Sequence, residues 1–488
     1  MKQNRKTLLN LSTKTFIQVV VLLFVLMLVA VVLTYVIPKG EFGKLTDEAG
    51  NVLVDEKGNE QLDFTDYRRI EGASGIPIWK GLLAPILVFG SANGLELIML
   101  SLFLVTVFAA FQVMSDVGGI RALVGRVASR FEKRKGLLLA AIALVFMAFG
   151  AFLGLFEEML SMLPIVTALC VLIGYDSFTG FLVSIIACGF GFASAITNPF
   201  TVLTAARLIN ANPMEHIWYR IVIFAVMYLL LLGFVFLYVR RLKKDPTRSL
   251  TLAHDETLRA AGTAQDGTAL SPENEKRISR IYIVFLLLGL ALIVTCSLIE
   301  SLRGVTVVVL IAYFLIFGLL AGFLSAKAAK PVLKSFGKGI VGALPTIVFI
   351  ALASSVKYVF DEGGIMPTIV HSINTLVSGH SPFIVTLVLY AIILVLEFFI
   401  SSSTAKAILV MGMLAVVSVP LSKQMLVLIY TFADGYTNVL FPTSPVLLIS
   451  LSMIGVDYFK WVKKSVPLFV LNLALVVGFI ALGITLGY

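Results

Sequence analysis

Apolar residues in this chain come in long blocks separated by short polar stretches, and the block lengths carry the first structural information. A helix rises about 1.5 Å per residue, so about 20 apolar residues cross the ~30 Å hydrocarbon core of a bilayer. The first block, about 16–37, follows a basic start (Lys2, Arg5, Lys6, Lys14). It is too long for a signal-peptide core, lacks a small-residue cleavage site, and reads as an anchored first span. Further apolar segments run at about 94–115, 136–155, 158–175, 178–200, 217–240, 281–301, 304–327, 340–360, 382–400, 402–420, 424–452 and 464–487. Residues 78–90 are apolar but short, as expected of an interfacial or partly buried helix. Two pairs, 136–155 with 158–175 and 382–400 with 402–420, read equally well as paired spans or as re-entrant hairpins.

The polar stretches divide by charge. Residues 38–77 hold nine acids against five bases, with turn signals at 49–51 and 57–59, and read as an extracytoplasmic hairpin. The stretch 240–280 holds nine Lys/Arg residues, 116–135 holds six and 327–338 holds four, whereas 361–380 holds none. Basic residues accumulate in cytoplasmic loops, which puts the first three inside, the last outside, the N-terminus inside and the C-terminus outside. The expected organisation is residues 1–37 as N-terminus and first span, 38–77 as external hairpin, 78–240 as a first half, 241–280 as cytoplasmic linker, 281–339 as further spans, and 340–488 as a second half.

Composition agrees with an all-α polytopic integral membrane protein. Of 488 residues, 59% are hydrophobic and 14% charged, against about 45–50% and about 25% in soluble domains, which excludes a soluble enzyme. The net charge of +10 belongs with cytoplasmic loops and not with nucleic-acid binding. Cys170, Cys188 and Cys296 lie in apolar runs without CxxC spacing and read as small core residues.

An internal repeat is legible. Asp116-Val-Gly-Gly-Ile recurs as Asp361-Glu-Gly-Gly-Ile, Thr197-Asn198 as Thr437-Asn438, and Trp218-Tyr-Arg as Trp461-Val-Lys, all in the same order. The charge rule puts Trp218 and Trp461 on opposite sides, so the halves are inverted. Inverted repeats with interrupted segments at matching positions are the sequence sign of a secondary transporter.

Charged side chains inside apolar segments are rare and suggest function. Here they are Glu157, Glu158, Glu397, Lys406 and Asp434, with Asp116, Asp361 and Glu362 at segment ends. Asn198-Pro199 and Pro442-Thr443-Ser444-Pro445 interrupt two helices, and such breaks present helix N-termini to anions and free carbonyls to cations. Glu157 and Glu158 both face one cavity only where the helix unwinds; otherwise one meets substrate and the other pairs structurally, with Lys406 one such partner. Ser401, Ser402, Ser403 and Thr404, next to Lys406, occupy the repeat position of the glutamates, the plain alternative being hydrogen bonds back to i−4 carbonyls. Asp434 either caps a half-helix or holds a coupling proton or ion, and the role of Glu397 stays open. The four histidines are scattered, which disfavours a metal or catalytic centre, and Gly337-Lys338-Gly339 lacks the spacing of a phosphate loop.

At these residues the sequence resembles the YfcC-like branch of the anaerobic C4-dicarboxylate carrier (DcuC) family, whose relatives include arginine/ornithine exchangers. The resemblance rests on Pro38–Phe42, Glu157-Glu158, Gly174–Asp176, Asn198–Thr201, Ser401–Lys406, Asp434–Asn438, Pro442–Ser444 and Trp461, spread in order over nearly the whole chain. It implies a scaffold, including spans within 281–339, and a transport domain with two opposed hairpins and two broken helices, often dimeric. The chain departs from the family pattern at Ser401–Lys406, where glycines are usual, at Pro445, and at Arg207.

The expected function is therefore a secondary active transporter, exchanger or ion-coupled carrier, for basic amino acids of the arginine/ornithine type. The substrate carboxylate would meet half-helix N-termini and polar groups at Asn198, Thr201, Ser401–Thr404, Asn438, Thr443 and Ser444, and its cationic end Glu157 or Glu158. Lys406 and Asp434 would couple. No cofactor is expected beyond a proton or a sodium ion, the latter near Asn198 and Asn438. The expected partners are substrate, bilayer and a second copy of the chain. A C4-dicarboxylate carrier using Lys406 as countercharge is the alternative substrate reading. A membrane-embedded enzyme is the alternative class, weakened by the lack of HExxH, GxSxG or clustered His/Cys ligands.

Overall fold

A computed structural model describes residues 13–46, 52–53, 62–71, 75–91, 94–264, 271–303, 305–377, 380–399, 403–416 and 421–488. Ser401, Ser402 and the turn signals at 49–51 and 57–59 lie outside the described residues. The chain opens with α1 (Thr13–Val36), a two-stranded antiparallel hairpin of β1 (Gly40–Lys44) and β2 (Leu62–Arg69), and the short helix α2 (Ile78–Leu87). The first half continues with α3 (Gly94–Asp116), α4 (Gly119–Arg130), α5 (Lys135–Ala148), α6 (Leu163–Leu172), α7 (Ser177–Phe181), α8 (Ala187–Ala193), α9 (Thr204–Leu208) and α10 (Ile217–Lys244). Then come α11 (Leu252–Ala264), α12 (Pro272–Leu298), α13 (Glu300–Arg303) and α14 (Thr306–Ala326). The second half holds α15 (Ala329–Gly363), α16 (Met366–Val377), α17 (Pro382–Glu397), α18 (Ser403–Val416), α19 (Lys423–Thr437), α20 (Pro445–Met453) and α21 (Tyr458–Leu486). Among the described residues, eight helices are long and apolar enough to cross a membrane.

The repeat is visible element by element: α3 to α10 recur in order as α15 to α21, with α7 and α8 together matching α19. Both Asp-x-Gly-Gly segments end a long helix through a left-handed glycine, Gly118 (φ 79°) and Gly364 (φ 64°). Equivalent helices cross antiparallel. Ser335 Oγ near the start of α15 donates to Asp116 Oδ2 at the end of α3, at 2.6 Å. Tyr219 at the start of α10 bonds the Phe479 carbonyl late in α21. At the α8–α19 crossing, a Cβ on Gly435 would stand 2.1 Å from the Ala193 backbone, so only glycine admits this approach. Antiparallel crossing of equivalent helices makes the halves inverted. Trp218 and Trp461 accordingly sit at opposite ends, yet only Trp461 is buried, donating to the Val439 carbonyl.

The basic loops converge at one end. Arg277 reaches the Ser325 carbonyl, Lys338 lies 3.5 Å from Asp116, and Lys135 donates to the Ile173 carbonyl. At the other end Lys80 pairs with Glu362 at 3.0 Å, and Tyr67 of β2 stacks on His371. Two helices exceed the apolar runs. α15 begins at Ala329, because Lys330, Lys334 and Lys338 recur every four residues on an exposed face opposite buried Val332, Ser335 and Phe336. The 241–280 stretch contains α11, whose buried Asp255 accepts from Ser177 Oγ and Thr251 Oγ1 and so ties it to the start of α7. Burial pushes the Asp255 carboxyl up, while these hydrogen bonds pull it down.

Candidate functional site

Each half places a hairpin tip against a broken helix. In the first, α5 continues through a wider π-type turn, Phe149–Leu153, and reverses at Gly154 (φ 68°), after which Glu158–Met162 leads into α6. Lys135 at the base of α5 bonds Ile173 just past α6, at 2.7 Å, so both arms return to one end. The returning arm is short, and the tip stops at the break after α8. The pair 136–155 with 158–175 is thus a helical hairpin whose outgoing arm, Lys135–Leu153, is longer than its returning arm. Ile196 N and Thr197 N of the break both donate to the Ala151 carbonyl, at 2.9 and 3.2 Å. Asn198 Nδ2 donates to the Gly150 carbonyl at 3.1 Å, and its Oδ1 accepts from Phe200 N and Thr201 N at 2.9 and 3.3 Å, capping the half-helix that Pro199 opens.

Glu157 is exposed at this tip and Glu158 half-buried. Among the described residues neither has a cationic partner. Glu158 Oε2 and Thr201 Oγ1 are each buried without a hydrogen-bond partner, the latter in the first turn of the half-helix that Pro199 opens.

In the second half, α17 ends at Glu397 and α18 begins at Ser403, again beside a break, here residues 438–444 between α19 and α20. Lys406 is fully buried between Glu397 and Asp434, its Nζ 2.6 Å from Asp434 Oδ1 and bonded to Glu397 Oε2. Ser403 Oγ donates to Asp434 Oδ2 at 2.8 Å, Thr437 Oγ1 to Glu397 Oε2 at 3.1 Å, and Tyr430 to the Ser403 carbonyl. Asn438 Nδ2 donates to the Asp434 carbonyl at 3.0 Å. The ammonium also lies near the C-terminal end of α19, where the helix dipole favours a cation.

Of the residues singled out in the sequence, Asn198 packs against the first tip at Gly150 and Gly154, with Thr201 in the half-helix behind it and Glu157 and Glu158 on the returning side of the tip, while Ser403, Lys406, Asp434 and Asn438 meet at the second. Thr443 is buried in the second break, and Ser444 caps α20. Thr404 begins α18 beside Ser403, its side chain outside those described. Glu397, whose role the sequence left open, is a direct partner of Lys406, and Tyr430 and Thr437 complete the cluster unforeseen. A carboxylate nine residues before a lysine in an apolar run was the available signal. Two carboxylates around one ammonium leave a formal charge of minus one, and Glu397 Oε1 is buried without a partner. Such a cluster can take up a proton or a small cation. The first tip, two carboxylates without an internal cation, can take a cationic group from outside.

Residues 16–485 match the model of the C4-dicarboxylate anaerobic carrier family, DcuC. The chain is 26% identical over 465 residues to YfcC of Escherichia coli (strain K12), provisionally named a basic amino acid antiporter, covering 91% of this chain and 87% of that one. It is 23% identical to an uncharacterized protein of Haemophilus influenzae (strain ATCC 51907 / DSM 11121 / KW20 / Rd) over 94% of both chains. The crystal structure of the Alcanivorax borkumensis YdaH transporter overlaps 98% of this chain and 99% of its own at 14% identity, with a TM-score of 0.42, too loose a likeness to build on. With its apolar spans, inverted repeat, paired hairpins and match across nearly its whole length, the chain belongs to the C4-dicarboxylate anaerobic carrier family and is a multi-pass membrane transporter.

Proposed function

We propose that this transporter exchanges basic amino acids, of the arginine or ornithine type, across the cell membrane. One observation carries the reading: the first tip presents Glu157 and Glu158 without a cation among the described residues, while the second tip has its own, Lys406. An unpaired carboxylate at membrane depth is costly unless protonated or met by a cation. A substrate with a cationic side chain supplies that cation. Its carboxylate end is received by the half-helix N-terminus at Asn198–Thr201 and by the hydroxyls of Thr443 and Ser444. The provisional name of YfcC points the same way. A C4-dicarboxylate needs a cation to meet it, and Lys406 is already held between two carboxylates. Lys406 takes the place of a bound coupling cation, with Glu397 and Asp434 as its seat.

The test is ligand-induced stabilisation of the purified protein by arginine, ornithine, neutral amino acids and C4-dicarboxylates, with Glu157→Gln and Glu158→Gln alongside the parent. One charge-assisted contact is worth roughly 1.5–3 kcal/mol, about ten- to a hundredfold in affinity. Loss of that size for arginine and ornithine, with neutral amino acids little affected, is expected. Equal loss across both kinds assigns the glutamates to coupling or folding and removes the basic substrate. Stabilisation by dicarboxylates alone does the same.

A further inference from the structure

Far from the hairpin tips, at the end of the molecule where the basic loops gather, an open cavity of about 540 Å³ lies between the start of α5 and the end of α10. Its lining includes Lys133, Lys135, Arg240 and Lys243, with Tyr175 and Phe236, and contains no acidic side chain. We propose that this cavity is a binding site for the headgroup of an anionic phospholipid.

Three observations converge. The first is unbalanced charge: among the described residues none of Lys133, Arg240 and Lys243 has a carboxylate partner. Four like charges around one cavity repel unless an anion joins them. The second is that the cations are arranged as a wall and not scattered. Lys135 is tethered to the Ile173 carbonyl at 2.7 Å, and Lys243 Nζ stands 5.5 Å from the Tyr175 ring centroid, over its face. Tyr175 is held in turn by Arg259, which donates to its carbonyl at 3.3 Å.

The third observation separates a lipid from a soluble anion. The cavity sits at the shared end of two apolar helices long enough to cross the membrane, Lys135–Leu153 and Ile217–Lys244. Those helices run antiparallel in contact, Tyr228 donating to the Ala140 carbonyl at 2.8 Å. Next to the basic wall, Leu137 and Leu237 are 56% and 54% exposed, and Leu144 and Leu229 continue the apolar surface along both helices. A free phosphate would use the cations and leave that surface unexplained. A phospholipid uses both, with its phosphate among the cations and its acyl chains along the leucines. Basic pockets between membrane helices commonly hold anionic headgroups for this reason.

The experiment is native mass spectrometry of the full-length purified protein from mixed micelles containing phosphatidylglycerol or phosphatidylcholine with the same acyl chains, with inorganic phosphate as a third arm. The parent should retain phosphatidylglycerol well above phosphatidylcholine. Each cation near the headgroup is worth about fivefold. The triple variant Lys133→Gln/Arg240→Gln/Lys243→Gln should therefore lose about a hundredfold in retention. Because that variant could misfold, Lys133→Arg/Arg240→Lys/Lys243→Arg serves as the charge-keeping control and should retain the lipid. A second control, Lys330→Gln/Lys334→Gln, removes two exposed lysines at the same end of the molecule but outside the cavity, and should also retain it. Retention unchanged in the triple variant, no preference over phosphatidylcholine, or equal loss in the Lys330/Lys334 control would each overturn the proposal. Displacement of the lipid by inorganic phosphate would overturn it in favour of a free-anion site.

Discussion

At the tip of the first hairpin Glu157 and Glu158 stand without a cation among the described residues, whereas at the second Lys406 closes between Glu397 and Asp434. The two sites share a plan among the described residues: the arms of a helical hairpin beside the break of a helix. The breaks are held differently. Asn198 binds the first tip through the Gly150 carbonyl and caps its half-helix with two further bonds, while Asn438 makes one bond to Asp434 on its own helix. An inverted repeat thus keeps its geometry while dividing the chemistry. One copy carries its counterion within the chain, and the other leaves the complementary charge to be filled.

The sharpest way to break this comparison is to remove the internal cation. Taking one partner from a buried ion pair costs about 3–5 kcal/mol, because the remaining charge stays buried and uncompensated. Lys406→Met should therefore melt far below the parent in detergent, and Lys406→Met/Glu397→Gln should recover part of the loss, since one orphaned carboxylate is gone. Glu157→Gln, at an exposed carboxylate with no partner to orphan, should melt close to the parent. If Lys406→Met and Glu157→Gln melt alike, the two sites do not differ as described.

A smaller effect separates the two breaks. Asn198→Ala removes a helix cap and the link to the Gly150 carbonyl, and loss of a cap costs about 0.5–2 kcal/mol. Asn438→Ala removes one bond within a helix end and should fall at the low end of that range. Denaturant titrations of the two variants compare them directly, and equal cost would mean that the Asn198 link to the first tip contributes nothing.

The smallest expected effect is none. On the proposal that Lys406 takes the place of a coupling cation, substrate exchange in proteoliposomes should be unchanged when sodium is fully replaced by choline, and a sodium gradient should add nothing. Strict dependence on sodium would transfer the cation role from Lys406 to a bound ion, with the loops at Asn198 and Asn438 as its seats.

Much of this architecture is legible in the chain itself. Block lengths locate the spans, Pro199 and Pro442–Pro445 locate the breaks, and glycine pairs after Asp116 and Asp361 locate the repeat, because each depends on a rise per residue, a missing amide or a steric limit that acts within a few positions. The intramembrane charges are legible for the same reason, since any charge in an apolar run stands out. α11 is less so: its mixed composition reads as a linker, and what orders it is the docking of Asp255 onto Ser177, 78 residues away in sequence.

The pairing of those charges is another matter. Lys406 stands nine residues from Glu397, across a turn, and meets Asp434 from a different helix, while Glu157 and Glu158, equally acidic and at the corresponding place in the repeat, lie at the other tip. Nothing in local periodicity distinguishes these carboxylates. The choice is made where α17, α18 and α19 converge in the second half, and the close approach of α8 to α19 at Gly435 sets where that group lies against the first. The sequence by itself determined the spans, the breaks and the buried charges Glu397, Lys406 and Asp434 within apolar runs, because those follow from short-range geometry and solvation, whereas Asp176, Arg220 and Asp255 are buried only by tertiary packing. Only the tertiary structure decided which carboxylates share the lysine and which stand open, because ion pairing depends on separations of a few ångströms between groups that the chain order holds far apart.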